Sequence, residues 1–243
     1  MSIVLAAAVA LAVFGLASAA QAVTGFGSAL VAVPLLTLAF GPVTAVLAST
    51  IVGLVLTAHA SVQERAHVER RVAARLVVSG LIGLPLGYLV LTLVPARSLK
   101  LVIAAVLGVL VVVLAARLRL PSGLGAQRSA GVASGVLLTS TGMNGPPLVV
   151  LLQAMGQSPR RFRATLQVTF FAQDLAAVVL FLVTGLLSPA VWGLAAAGVL
   201  GVPLGWWLGD RLFGALSAAR FRRVVLGGLA VLALTSLVTA VAG

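Results

Sequence analysis

Thr24-Gly25-Phe26-Gly27 and Thr141-Gly142-Met143-Asn144-Gly145-Pro146-Pro147 interrupt two long apolar stretches, 2–40 and 129–157, near their middles. Glycine frees the backbone and proline lacks an N–H donor, so neither stretch reads as one continuous helix. The arms of the second stretch hold about 13 residues each, near 20 Å at 1.5 Å per residue. That falls short of the hydrocarbon core of a bilayer, about 30 Å thick. Such an element goes in and comes back out, as a re-entrant hairpin with its tip at mid-membrane. The first arm of the earlier stretch, 2–23, is long enough to span. That region therefore reads either as a hairpin or as a full span with a short return helix.

The composition makes lipid the main solvent. Of 243 residues, 61% are hydrophobic and 8% charged, and the mean hydropathy is +1.22. A soluble domain carries about 25% charged residues to wet its surface. This excludes a soluble enzyme, a secreted disulfide scaffold and a disordered chain. Cysteine is absent, and two His with four acidic residues give no metal or cofactor centre to build on. The N-terminal apolar run reaches Ala17-Ser18-Ala19, but no Lys or Arg precedes it. It is expected to stay in the fold rather than act as a cleaved signal.

Six more stretches reach spanning length: 43–61, 73–93, 99–116, 164–184, 190–208 and 223–242. The net charge of +12 does not indicate nucleic acid, because the basic residues lie in short gaps between apolar runs. Aromatics, at 5%, are too few for a base-stacking platform. If each interrupted region enters and leaves on one side, loops 62–75, 117–128, 160–163 and 209–223 share a face. They hold fourteen of the sixteen basic residues, against Arg97 and Lys100 opposite. If each crossed once, the split would be nine to seven. The positive-inside rule selects the hairpin topology, with both termini outside.

The chain also repeats itself. Thr24-Gly25 returns as Thr141-Gly142, and Gly83-Leu84-Pro85-Leu86-Gly87 returns as Gly201-Val202-Pro203-Leu204-Gly205. The spacing from tip glycine to motif is 58 residues in one half and 59 in the other. Ala96-Arg97 before an apolar helix is echoed by Ala219-Arg220. With this topology, 43–61 and its counterpart 164–184 run in opposite directions. The expected fold is an all-α polytopic membrane protein of two inverted repeats, 1–117 and 118–243. Each repeat is a broken hairpin followed by three transmembrane helices. Paired broken segments in inverted repeats mark secondary transporters, with the site near the midplane.

On these residues the sequence resembles the TauE/SafE sulfite-exporter-like permeases. The resemblance rests on Thr24-Gly25-Phe26-Gly27 leading to Val33-Pro34, on the Thr141–Pro147 run that opens the second half, and on the Gly-x-Pro-x-Gly helices. It covers essentially the whole chain. It implies a multi-pass carrier of the bacterial inner membrane for sulfur-containing oxyanions such as sulfite, or for organosulfonates.

The tips themselves point to an anion. After each break a helix starts, near Gly27 or Gly145, and its first turn presents free N–H groups and the positive end of the dipole. Thr24, Ser28, Thr141 and Asn144 add hydroxyl and amide donors. Gly25, Gly27, Gly142 and Gly145 permit close approach, and Phe26 and Pro146 complete the two tips. Arg75 and Lys100 lie only at the ends of spans 73–93 and 99–116, and no Arg or Lys lies near a tip in the sequence, so binding relies on neutral donors. Gly83, Gly87, Gly201 and Gly205 read better as close-packing residues, and Pro85 and Pro203 as kinks.

Asp174 is the one acidic residue inside a span. A carboxylate at the bilayer centre costs about 2.5–3.5 kcal/mol on insertion scales, so a reason is expected: proton coupling, or a hydrogen bond to a neighbouring helix. Its counterpart in the first half falls near Thr57. Gln21, Gln167 and Gln173 either line the path or bridge helices. His59 is expected at the membrane interface. Arg160, Arg161 and Arg163 set topology, and Arg163 is placed to meet an anion at the cytoplasmic mouth. Moving one charge through 100 mV is worth about 2.3 kcal/mol, so a dianion leaves a negative interior without needing a proton, whereas import needs a coupling ion.

Three other classes compete with a secondary anion carrier. An enzyme would need a nucleophile with a base, or a metal cluster, and Asp174 with His59 is a poor set. A structural subunit would not explain two matched breaks. An ATP-driven permease finds no Walker motif here. An anion channel, or a carrier of another small organic anion, shares the same architecture. The expected partners are a small anion and the lipid bilayer, with a homodimer left open.

Overall fold

Left-handed glycines end the first helix of both hairpins. The computed structural model describes residues 2–116 and 121–215, together with Leu234 and Val238. Helix α1, Ile3–Thr24, starts with the Ser2 hydroxyl accepting from the Leu5 N–H at 3.3 Å and stops at Gly25, φ +76°. Helix α6, Leu124–Thr141, stops at Gly142, φ +72°, whose N–H returns to the Leu138 carbonyl at 2.9 Å. Only glycine adopts this backbone at little cost, so these two residues place the breaks. Gly27, φ +117°, then starts α2, Ser28–Phe40. Asn144 precedes α7, Gly145–Ala154, with Pro146 and Pro147 in its first turn, where a missing N–H breaks no helical bond.

The arms are unequal, which corrects the reading of two short ones. Helix α1 has 22 residues and α2 has 13. The first region is thus a full-length helix with a short return. Helix α6 has 18 residues, roughly 27 Å, and α7 has 10. Apolar counting starts α6 too late, because its first turns carry Gln127 and Arg128, which form helix as readily as apolar residues do.

The remaining helices are α3 (Pro42–Glu64), α4 (Arg70–Leu93), α5 (Ala96–Ala116), α8 (Pro159–Val183) and α9 (Pro189–Ala215). A short 3₁₀ turn, Arg65–His67, joins α3 to α4, and no strand occurs among the described residues. Among those residues, five helices are long and apolar enough to cross a bilayer: α1, α3, α4, α8 and α9. The expected span 223–242 lies outside the described residues.

Two helix pairs carry the densest packing, α1 with α9 and α4 with α6, while α3 lies along α8. Both dense pairs are backbone on backbone. A Cβ on Gly83 would overlap the Val132 carbonyl, and one on Gly87 the Val136 carbonyl. In the other pair, Gly201 meets the Leu11 carbonyl and Gly205 that of Gly15. The prolines are handled alike. The Thr139 hydroxyl donates to the Leu84 carbonyl at 2.7 Å, just before Pro85, and Ser18 donates to Val202 at 2.9 Å, just before Pro203. Small residues let the helices touch, and a hydroxyl of one helix bonds a carbonyl of its partner beside the proline.

Comparing the two pairs reveals a one-turn offset. Seven residues separate Ser18 from Gly25, but three separate Thr139 from Gly142. Helix α1 therefore runs one turn further past its crossing, about 6 Å. Gly25 consequently reaches the Arg163 side chain near the start of α8, whereas Gly142 lies against Val33 and Val46.

Three basic segments gather at one end of the bundle. Arg163 Nε lies 3.3 Å from Glu64 Oε1, the Glu69 N–H donates to Thr165 Oγ1 at 3.1 Å, and Arg75 Nη1 donates to Gln127 Oε1 at 3.1 Å. These contacts tie 62–75 to 160–163 and to the start of α6. Most of 209–223 lies outside the described residues.

Candidate functional site

Both tips open onto one small enclosed cavity of about 30 Å³, enough for one or two waters. Its wall takes Gln21 from α1, Gly27 and Ser28 through Leu30 from the start of α2, and Gly142 through Gly145 from the second tip. Helix α3 contributes Ser49, Thr50, Gly53 and Thr57, and α8 contributes Phe170 and Asp174.

The wall is buried and incompletely paired. Gln21 is 2% exposed and its Nε2 finds no partner; Ser49 is 5% exposed and its hydroxyl finds none either. An orphaned buried donor forfeits about 1–3 kcal/mol, so such atoms indicate where a ligand or water belongs. The first N–H groups of α2, on Ser28, Ala29 and Leu30, have no acceptor within their own helix. The second tip is poorer in such donors than the repeat reading expects. Pro146 and Pro147 remove two of the first four N–H groups of α7. Its contribution is the Gly145 N–H and the Asn144 amide.

Asp174 anchors the cavity. Asn144 Nδ2 donates to Asp174 Oδ1 at 3.4 Å, and Thr57 Oγ1 lies 3.2 Å from Asp174 Oδ2. Thr57 also reaches the Gly53 carbonyl at 2.8 Å. The Asn144 main chain is held from behind. The Ser134 hydroxyl, with one proton to donate, lies 2.9 Å from the Asn144 carbonyl and 2.8 Å from Gln173 Oε1, and Gln173 Nε2 donates to the Leu76 carbonyl at 3.2 Å.

The sequence candidates divide accordingly. Gln21, Gly27, Ser28, Gly142, Asn144, Gly145 and Asp174 meet at the cavity. Phe26 sits beside Gly145, and Gly25 supports the tip from outside the cavity, its carbonyl accepting from Gln167 Nε2 at 2.7 Å. Gln167 and Gln173 are braces between elements. Thr141 donates back to the Leu137 carbonyl at 2.8 Å. Pro146 lines a separate apolar cavity of about 790 Å³ between α5, α6 and α7. His59 stands at the basic end, edge-on to Trp206 at 6.1 Å and 2.9 Å from Gln63 Nε2. The backbone of Thr24 ends α1, and its side chain lies outside the described residues. Ser49, Thr50 and Gly53 were not singled out from the sequence. Their signal was the four-residue spacing Ser49, Gly53, Thr57, which puts small polar residues on one helix face.

Long apolar helices, a paired broken core and buried neutral donors define a polytopic membrane transport protein. The sequence model of the family described as Sulfite exporter TauE/SafE matches residues 10–236. The chain belongs to that family, one of membrane transporters of sulfur-containing anions and not of enzymes. Neither a curated protein nor a solved structure matches the chain.

Proposed function

We propose that the chain is a secondary carrier of the bacterial inner membrane that binds sulfite or an organosulfonate between its two tips. The observation that carries this reading is the shared cavity with its unpaired buried donors, Gln21 Nε2 and Ser49 Oγ. The α2 N-terminus supplies most of the main-chain donors and the favourable dipole end, worth on the order of 1–2 kcal/mol when partly buried. Asn144 adds an amide. A cavity of about 30 Å³ holds one or two waters, so a sulfite or sulfonate enters it as the two tips part.

Inverted repeats 1–117 and 118–243 fit this reading. The pair α4·α6 mirrors α9·α1, and the glycine and proline contacts match apart from the one-turn offset. Thr57 and Asp174, at equivalent positions of the two halves, lie side by side, as residues near a pseudo-twofold axis do. The basic end is then the cytoplasmic one. Single cysteines at Ala66 and Leu124 should label only from the cytoplasm, and one at Ile3 only from outside. Labelling of 66 and 124 from the periplasm would sink this topology.

Transport is tested in proteoliposomes loaded with sulfite or ethanesulfonate. The expected result is flux that saturates with anion concentration. Absence of flux counts against the function, and a non-saturating conductance against the carrier.

A further inference from the structure

We propose that anion and proton enter the tip cavity together, with the proton carried by Asp174. The inference rests on the anion site above and concerns what else must be true of it. The same wall that offers Gln21, Ser49, Asn144 and the α2 N-terminus to an anion also holds the Asp174 carboxyl group. An anion held by these donors lies beside the carboxylate that shares their wall, and like charges at close range in a buried site repel strongly. A neutral carboxylic acid removes the repulsion.

The hydrogen bonds around Asp174 can accommodate the acid form. The Thr57 hydroxyl has one proton and three acceptors in reach: the carbonyls of Gly53 at 2.8 Å and Leu54 at 3.3 Å, and Asp174 Oδ2 at 3.2 Å. With that proton on the nearest, Gly53, an O–H on Asp174 Oδ2 completes the Thr57 contact. Asp174 Oδ1 still accepts from Asn144.

Among the described residues, no positive charge is at hand to do the same work. The charged or titratable side chains on the elements packed against α8 are His59 and Glu64 on α3, Arg65 and His67 on the 3₁₀ turn, Glu69 through Arg71, Arg75 and Tyr88 at α4, and Arg128 on α6. None of them, and none of Arg160, Arg161 and Arg163 on α8 itself, lines the cavity.

In balanced form, one proton from water binds Asp174 as one anion enters, and both leave on the other side. The resulting activity is proton–anion symport. A dianion leaving with its proton still carries one negative charge outward, so a negative-inside potential favours its export, whereas a monoanion moves with its proton electroneutrally.

The test titrates the purified full chain with ethanesulfonate, whose own charge does not change with pH, in weakly buffered solution with a pH indicator. The expected result is proton uptake that grows with pH and approaches one proton per anion bound where the carboxyl group of the free protein is ionised. Affinity should fall by up to about tenfold per pH unit once the carboxyl group ionises. Asp174→Asn should bind with no proton uptake and no pH dependence. Asp174→Glu should keep the uptake. Ethanesulfonate binding to wild type that takes up no proton at any pH, with an affinity that does not change with pH, overturns this inference and leaves the anion site standing. No binding of ethanesulfonate, sulfate or sulfite at any pH overturns both. The wild-type measurement decides the matter even if a variant fails to fold.

Discussion

Gly205→Val is expected to leave little or no folded protein to purify. The side chain would have to occupy the space of the Gly15 carbonyl and its neighbouring main-chain atoms, which cannot rotate away as a side chain would. The helices α1 and α9 must then separate along their whole contact, one of the two densest in the molecule. Overpacking a core typically costs about 1–3 kcal/mol, and a backbone-on-backbone clash belongs at or beyond the upper end. In a membrane, close van der Waals contact supplies much of helix association, so lost contact is not recovered by solvent exclusion. The control is Gly108→Val: nothing lies within 4 Å of a Cβ there. Size-exclusion profiles in detergent should show Gly205→Val aggregated and Gly108→Val like wild type. Equal profiles for the two would mean that the small-residue packing does not hold the fold.

Gly142→Val is expected to abolish anion binding, with or without loss of the fold. Two separate penalties act at this position. The backbone φ of +72° is left-handed, which costs a β-branched residue about 1–3 kcal/mol. The new Cβ would also come 2.9 Å from Val33 Cγ2 on α2. Relief of either strain turns the second tip and moves Asn144 away from Asp174 and the α2 N-terminus. The penalties can be told apart. Gly142→Asn tolerates the left-handed turn and still presses on Val33, so it should be milder. Adding Val33→Ala to Gly142→Ala should recover binding toward wild type. Wild-type binding by Gly142→Val would show that the tip is not part of the site.

The breaks were legible because glycine and proline encode backbone geometry directly. Gly25, Gly27 and Gly142 have positive φ, and Pro146 and Pro147 start a helix, as their chemistry requires. The packing role of Gly83, Gly87, Gly201 and Gly205 was legible for the same reason. Arm lengths were not, because hydropathy reports lipid contact rather than helix, and α6 begins among Gln127 and Arg128. The α3 wall was missed because Ser49, Gly53 and Thr57 look the same whether they pack or bind. Gln167 and Gln173 were ambiguous for a related reason. An amide braces or binds according to what faces it, and only the fold places Gln167 on the Gly25 carbonyl and leaves Gln21 unpaired. The donor deficit of the second tip, by contrast, was already written in Pro146 and Pro147.

The central claim is that one anion sits between the two tips, and its most direct measurement is a binding isotherm. Purified wild-type protein is titrated with sulfite, alongside Asn144→Leu and Gln21→Leu. Each variant removes an amide from the cavity and leaves a buried ligand oxygen unpaired, a loss of about 1–3 kcal/mol, or roughly ten- to hundredfold in Kd. The account predicts that wild type binds, that both variants weaken by that factor, and that Gly108→Val binds like wild type. Sulfite binding of equal strength in wild type, Asn144→Leu and Gln21→Leu would contradict it.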